Sequence, residues 1–175
     1  MEQSGSSLGS MDTKLKSDIA ESAVVTELLK RGYKVLRPVG DRLPYDLALD
    51  INGKLLKIQI KSAWPQNGIY TVDTRRTKTN RRRMLRERYS ENDFDFAIVY
   101  IDDLKVFYVM PVSVFSAYKS GISFVETETR QRKPRSAEYK GRWDLLSEWA
   151  AQPVTVERNL SNSVKPEAVV LETVR

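Results

Sequence analysis

From Asp12 onward the chain shows one stretch of helical periodicity, followed by a series of shorter alternating ones. Leu15, Ile19, Ala23, Val25 and Leu29 recur on one broad stripe and predict a helix from about Lys14 to Arg31. Asp12 or Thr13 can cap its start, and Gly32 stands where a left-handed stop is expected. Alternating positions then predict strands over Tyr33–Leu36, Tyr45–Ile51, Lys54–Ser62 and Ile69–Val72. Phe94–Ile101 and Val106–Met110 read as two more, turned at Asp102-Asp103. Pro111 suits the first position of a short helix, Val112–Tyr118, which ends near Gly121. Trp143–Trp149 predicts a last helix. This order defines an α/β fold, a mixed β-sheet flanked by helices.

Asn52-Gly53 is the strongest short-range hairpin signal in the chain, and it sets a register. A two-residue loop places Ile51 opposite Lys54, Leu49 opposite Leu56, Leu47 opposite Ile58 and Asp46 opposite Gln59. Side chains alternate faces, so the four apolar residues form one core-facing ladder. Asp46 and Gln59 then share the other face, with Lys61 one pleat further on. Cross-strand Cβ atoms in such a pair lie roughly 5 Å apart.

Composition narrows what this trio can do. The 175 residues suffice for one compact domain. With no cysteine and no histidine, thiolate and imidazole chemistry are both excluded. Catalysis must rest on carboxylates, Lys, Arg, amides, hydroxyls or an oxygen-bound metal. No apolar run approaches the ~18 residues of a membrane span, and no secretory signal opens the chain, so a cytoplasmic protein without a membrane partner is expected. Residues 1–10 are Ser/Gly-rich, precede a second Met, and read as a disordered leader. The polar segment 151–175, with Pro153 and Pro166, reads as a mobile tail. With Glu2 the only charge before Met11 and the tail balanced, 11–150 carries about +7, which Glu2 brings to +6 for the whole chain. A basic body between neutral ends suggests a polyanion, nucleic acid before membrane.

A carboxylate and an amide oxygen are hard ligands of the kind Mg²⁺ accepts, and the Ile60 carbonyl would add another. Lys61 can orient a metal-activated water or stabilise charge on a phosphate. Taken one at a time, these residues read more readily as solvent-facing polar positions on a half-exposed hairpin.

The string Gly40-Asp41-Arg42-Leu43-Pro44-Tyr45-Asp46, a hairpin, then Gln59-Ile60-Lys61, resembles the PD-(D/E)-xK nuclease superfamily. The resemblance implies that Asp46 and the residue at Gln59 hold a metal and that Lys61 assists the nucleophile. Gln59 departs from the usual Asp or Glu and supplies one negative charge less. Many members also carry a Glu on the preceding helix. Glu21 is the candidate, sharing its stripe with Val24, Val25 and Leu28. Taken over Asp12–Ala150, Glu21, Asp46, Gln59-x-Lys61 and the basic insertion are similar to group I intron-encoded homing endonucleases of this type. That resemblance implies Mg²⁺ (Mn²⁺ substituting, Ca²⁺ supporting binding without cleavage), a tetramer, double-stranded DNA cut at a long site, and a bacterial nucleoid setting. A junction-resolvase-like nuclease and a catalytically inactive nucleic-acid-binding module remain alternatives.

Arg75, Arg76, Lys78, Arg81, Arg82, Arg83, Arg86 and Arg88 place eight cations within fourteen positions, opposed only by Glu87. Thr77, Thr79 and Asn80 add short hydrogen-bonding groups. Such a cluster repels itself unless a polyanion is present, and guanidinium suits phosphate or guanine, so segment 75–88 is expected to contact DNA. Arg130, Arg132, Lys133, Arg135, Lys140 and Arg142 form a second basic cluster, read as a surface loop. It suits phosphate contacts, a subunit contact or simple solvation. Tyr108, Phe115 and Tyr118 are spaced like core or interface residues, and Trp143 and Trp149 like packing or oligomer anchors.

Overall fold

The computed structural model describes residues 12–40, 42–80, 83–126 and 134–153, with the backbone alone at 77–80 and 83–85. The segments read as leader and tail lie outside the described residues, Ala151–Pro153 excepted. Helix α1 (Thr13–Lys30) begins where expected, with Asp12 as its cap accepting from the Lys14 N–H at 3.2 Å. Gly32 follows at φ +82°, a left-handed turn that glycine adopts without a steric penalty. The buried row differs from the expected stripe. It is Ala20, Val24 and Leu28, all fully buried, whereas Leu15 and Leu29 are about half exposed. Ala20 allows the helix to lie close on the sheet, and a row that begins with a small residue carries little hydrophobic signal.

Strands β1 (Lys34–Leu36), β2 (Leu47–Ile51) and β3 (Lys54–Gln66) form an antiparallel meander. The Asn52-Gly53 loop takes positive φ at both residues, 54° and 80°, as a type I′ turn requires. Its register is the one expected: Ile51 faces Lys54, Leu49 faces Leu56 and Leu47 faces Ile58. The four residues of the apolar ladder are at most 1% exposed. β3 also pairs in parallel with β7 (Phe96–Ile101), which pairs antiparallel with β8 (Val106–Pro111). β7 is buried at every position, which explains its unbroken apolar run.

Strand β3 is longer than the sequence pattern suggests. Its last residues pair with β4 (Ile69–Asp73), which in turn pairs with β9 (Gly121–Phe124). β9 occupies a stretch read only as the end of a helix, and completes a seven-stranded mixed sheet. Helix α2 (Val112–Ala117) packs on one face with Phe94, Val99 and Phe115. Helices α1 and α3 (Asp144–Ala151) pack on the other, over the Leu47–Ile58 ladder. Trp143 is held within this second core, 5.4 Å from Phe107 and under the Arg31 guanidinium at 4.7 Å. Trp149 packs at its margin. Tyr108 and Phe115 are buried as expected.

Within the basic stretch, β5 (Arg75–Asn80) pairs with β6 (Arg83–Arg88) as an antiparallel two-stranded ribbon outside the main sheet, and Arg81 and Arg82 lie outside the described residues. The sequence reading assigned it no strands, because the ribbon has no apolar face whose alternation could report one. In the second basic cluster, Arg135 opens a 3₁₀ helix (Arg135–Tyr139) and is not in a loop. Lys140 pairs with Glu126, and Arg142 with Asp144 at 2.8 Å. Arg130, Arg132 and Lys133 lie outside the described residues.

Candidate active site

β2 leaves β3 after the Leu47–Ile58 pair, and β4 joins β3 only at Trp64. The ladder is therefore interrupted where the chain turns away at Asp46. The Asp46 N–H still donates to the Ile58 carbonyl at 2.9 Å. Beyond that point the carboxylate takes over from the missing strand, because Asp46 Oδ2 accepts from the Ile60 N–H at 2.6 Å. Gln59 Nε2 donates to the same Oδ2 at 2.6 Å and to the Ile60 carbonyl at 3.2 Å. Lys61 Nζ donates to the Tyr89 hydroxyl at 3.0 Å.

These groups line a cleft of about 410 Å³ between α1, the open edge of β3 and the base of the ribbon. Thr13, Lys16, Ser17 and Glu21 contribute from the helix, Asp73, Arg75 and Arg76 from the ribbon side. The structure thus brings together all four residues expected at the site, Glu21, Asp46, Gln59 and Lys61, together with Ile60. Two further residues of the cleft were not anticipated. Tyr89 follows β6 directly. Asp73 accepts from Arg75 Nε and Nη2, both at 3.0 Å, and pairs with Arg86 at 3.4 Å, so it clips both ribbon strands at their base. Neither carries a spacing signal, since only the crossing of the ribbon over β3 places them there.

Burial shapes the electrostatics. Desolvation is the largest influence on the Asp46 carboxyl and, with the nearby charge of Glu21, raises it to about 6. The Ile60 N–H, Lys61 and Gln59 pull in the opposite direction without cancelling the rise. Desolvation also lowers the Lys61 ammonium from the usual lysine range, opposed by Asp46 and Asp73. The same cause pushes the Tyr89 phenol up, so it stays neutral at physiological pH.

The donor set suits a divalent ion. The Gln59 NH₂ group sits where two hard oxygens, Asp46 Oδ2 and the Ile60 carbonyl, converge. Turning the amide over presents its Oε1 to the same point, and three converging oxygens repel one another unless a cation lies between them. Among the described residues no three carboxylates are placed close enough to hold a metal ion by themselves, in keeping with an amide at the position where a second acid is usual. Glu21 lines the same cleft from α1 and offers a further carboxylate there. Replacing Gln59→Glu is expected to set a second carboxylate against Asp46 and destabilise the metal-free protein by about 1–3 kcal/mol. Thermal unfolding with and without Mg²⁺ checks this: the ion should raise the melting temperature of the variant more than that of the parent.

The chain belongs to the PD-(D/E)XK endonuclease family, whose model matches residues 11–146. The mixed sheet with flanking helices is the fold of such nucleases, and the family acts on DNA, typically with divalent metal ions. Among solved structures, the chain is similar to the bacterial homing endonuclease I-Ssp6803I. The two are 53% identical, with a TM-score of 0.74 over 81% of this chain and 97% of that one. The crystal structure of MepB also matches, at 12% identity and a TM-score of 0.40, over 74% of this chain and 92% of that one. No curated protein matches the chain significantly.

Proposed function

We propose that the chain is a Mg²⁺-dependent homing endonuclease that makes sequence-specific double-strand breaks in DNA by phosphodiester hydrolysis. The convergence of Asp46, Gln59, the Ile60 carbonyl and Lys61 at the open edge of β3, beneath a basic ribbon, is the observation that carries this reading. Similarity to I-Ssp6803I over nearly all of that protein supports the homing assignment. On the resemblance of its sequence motifs to group I intron-encoded homing endonucleases, the proposal extends to an intron origin, a tetramer, and action at the bacterial nucleoid. Residues 11–150 form the nuclease domain in this proposal, with 1–10 and 151–175 as additions to it.

Asp46, Gln59, the Ile60 carbonyl and Glu21 would hold the ion. The ion supplies polarisation of the scissile phosphate and acidification of a bound water. An ammonium has three N–H donors. Lys61 gives one to Tyr89 and keeps two to orient the attacking water and to stabilise charge on the phosphate. The ribbon carries the DNA contacts: Arg75, Arg76, Lys78, Thr79, Asn80, Arg81, Arg82, Arg83, Arg86 and Arg88. A two-stranded ribbon is narrow enough to enter the major groove. Arg130, Arg132, Lys133 and Arg135 contribute phosphate contacts at the flank of the site.

The experiment is cleavage of a plasmid pool carrying a randomised duplex segment, with capture and sequencing of the new ends. One long recurrent site, cut on both strands in Mg²⁺, bound uncut in Ca²⁺ and left intact in EDTA, is expected. Cutting confined to four-way junctions would make the chain a junction resolvase. Selective binding that never leads to cutting would make it an inactive binding module.

A further inference from the structure

Lys61 is the mobile member of the site, with four rotatable side-chain bonds between its backbone and its ammonium. Fixing such a chain gives up rotamer entropy, so its position needs a specific restraint. Tyr89 provides two. Its hydroxyl accepts from Nζ at 3.0 Å, and Nζ lies 5.0 Å from the centre of its ring. The ring is itself held, 8% exposed, edge-on to Phe94 at 5.0 Å and beside Phe115 at 6.4 Å. A rigid, neutral phenol therefore reaches from the α2-side core into the cleft and ends on the lysine. Its place in the chain matters as well. Tyr89 comes directly after Arg88, the last residue of β6, so the ribbon's outgoing strand runs straight into the contact.

We infer that Tyr89 is a positioning residue for Lys61, tying the ammonium that serves the reaction to the root of the DNA-contacting ribbon. The inference rests on the nuclease reading, and one of its tests does not require that reading.

Tyr89→Phe removes the hydroxyl and keeps the ring against Phe94 and Phe115, so folding is preserved. On the duplex selected from the plasmid pool, the single-turnover cleavage rate in Mg²⁺ should fall about tenfold or more. The dissociation constant for the same duplex in Ca²⁺ and the melting temperature should stay as in the parent. In a Lys61→Ala background, Tyr89→Phe should cause no further loss, because the hydroxyl acts through Lys61. An unchanged rate would overturn the inference. So would an equal loss in the Lys61→Ala background, or a loss carried wholly by DNA affinity. The second test needs no DNA or metal. Pulse acylation with acetic anhydride over a pH series, read by mass spectrometry and corrected for the free-amine fraction at each pH, should label Lys61 several-fold faster in Tyr89→Phe, as the released side chain samples the open cleft. Equal labelling overturns the inference even if the chain cuts no DNA, whereas absence of cutting with faster labelling overturns only the nuclease reading.

Discussion

Replacing Asp46→Asn is expected to abolish cleavage and at the same time to stabilise the metal-free protein at pH 8. An aspartate in the unfolded chain titrates near 3.8, whereas burial beside Glu21 raises the folded group to about 6. The fold thus prefers the protonated form. Asp46 is without penalty below the unfolded value, where both states carry the proton. Its penalty grows as pH rises between the two values and is complete above the folded one. A difference of this size corresponds to roughly 3 kcal/mol at pH 8. Because the raised value already includes the favourable bonds from Ile60 and Gln59, it is the net effect of keeping a carboxylate there. Asparagine never ionises, and its amide oxygen can accept from the same Ile60 N–H.

Unfolding in EDTA should therefore show Asp46→Asn melting roughly 5–10 °C above the parent at pH 8, with the gap closing near pH 4. Cleavage should fall by about a thousandfold or more, since the variant lacks the anionic ligand. A variant less stable at pH 8 would mean that the charged hydrogen bonds outweigh desolvation. The same chemistry makes ion binding proton-coupled. Near pH 6 each bound ion should displace a fraction of a proton from Asp46, visible as buffer-dependent heats in calorimetry. On the proposed function, a site that destabilises its own fold until an ion arrives would suit a metal ligand set, and would account for polar groups converging on an interrupted strand edge.

How much of this was legible depends on the distance over which each feature is encoded. The hairpin register was readable because Asn52-Gly53 admits one loop length, and that length assigns every facing pair from Ile51–Lys54 outward. Asp46, Gln59 and Lys61 followed as a geometric consequence. Glu21 required more, since its place depends on how α1 rolls on the sheet. The apolar stripe pointed through Leu15 and Leu29, whereas the packed row runs through Ala20. Glu21 is the next residue after Ala20, and so lies at the boundary between packed and open faces, facing the cleft. Asp73 and Tyr89 were beyond reach. Their importance arises where the ribbon's two ends meet β3, a contact between residues 28 apart in the case of Lys61 and Tyr89. The ribbon itself was concealed by its composition, because alternation reports a strand only when one face is apolar.

The ribbon carries the second large effect. Replacing Arg76, Arg86 and Arg88 together by Ala should weaken DNA binding by about a hundredfold or more at moderate salt and flatten its salt dependence. Each phosphate neutralised by a cation releases condensed counterions and contributes about 0.9 to the slope of log K against log salt, so three lost contacts remove between two and three from its magnitude. These positions are chosen because none belongs to either hydrophobic core, although Arg86→Ala gives up the ion pair that holds β6 to Asp73. Arg86 and Arg88 are exposed, and Asp73 retains its two bonds from Arg75 when Arg86 is removed. The melting temperature should hardly move. Arg75 lies directly opposite Arg88, and Thr77 opposite Arg86, so the triple change also relieves a like-charge pair within the ribbon. Anisotropy titrations in Ca²⁺ over a salt series, with the selected duplex and a scrambled one, separate the kinds of contact. Equal weakening on both duplexes means that these arginines grip phosphates, whereas loss of the difference between duplexes means that they read bases. An unchanged slope would remove the ribbon from the DNA surface and shift attention to the cluster around Arg135. The ribbon's position at the rim of the cleft makes the first two outcomes the expected ones, because Arg76 lines the same cleft as Lys61 and Asp46, and a DNA strand seated on it would pass beside them.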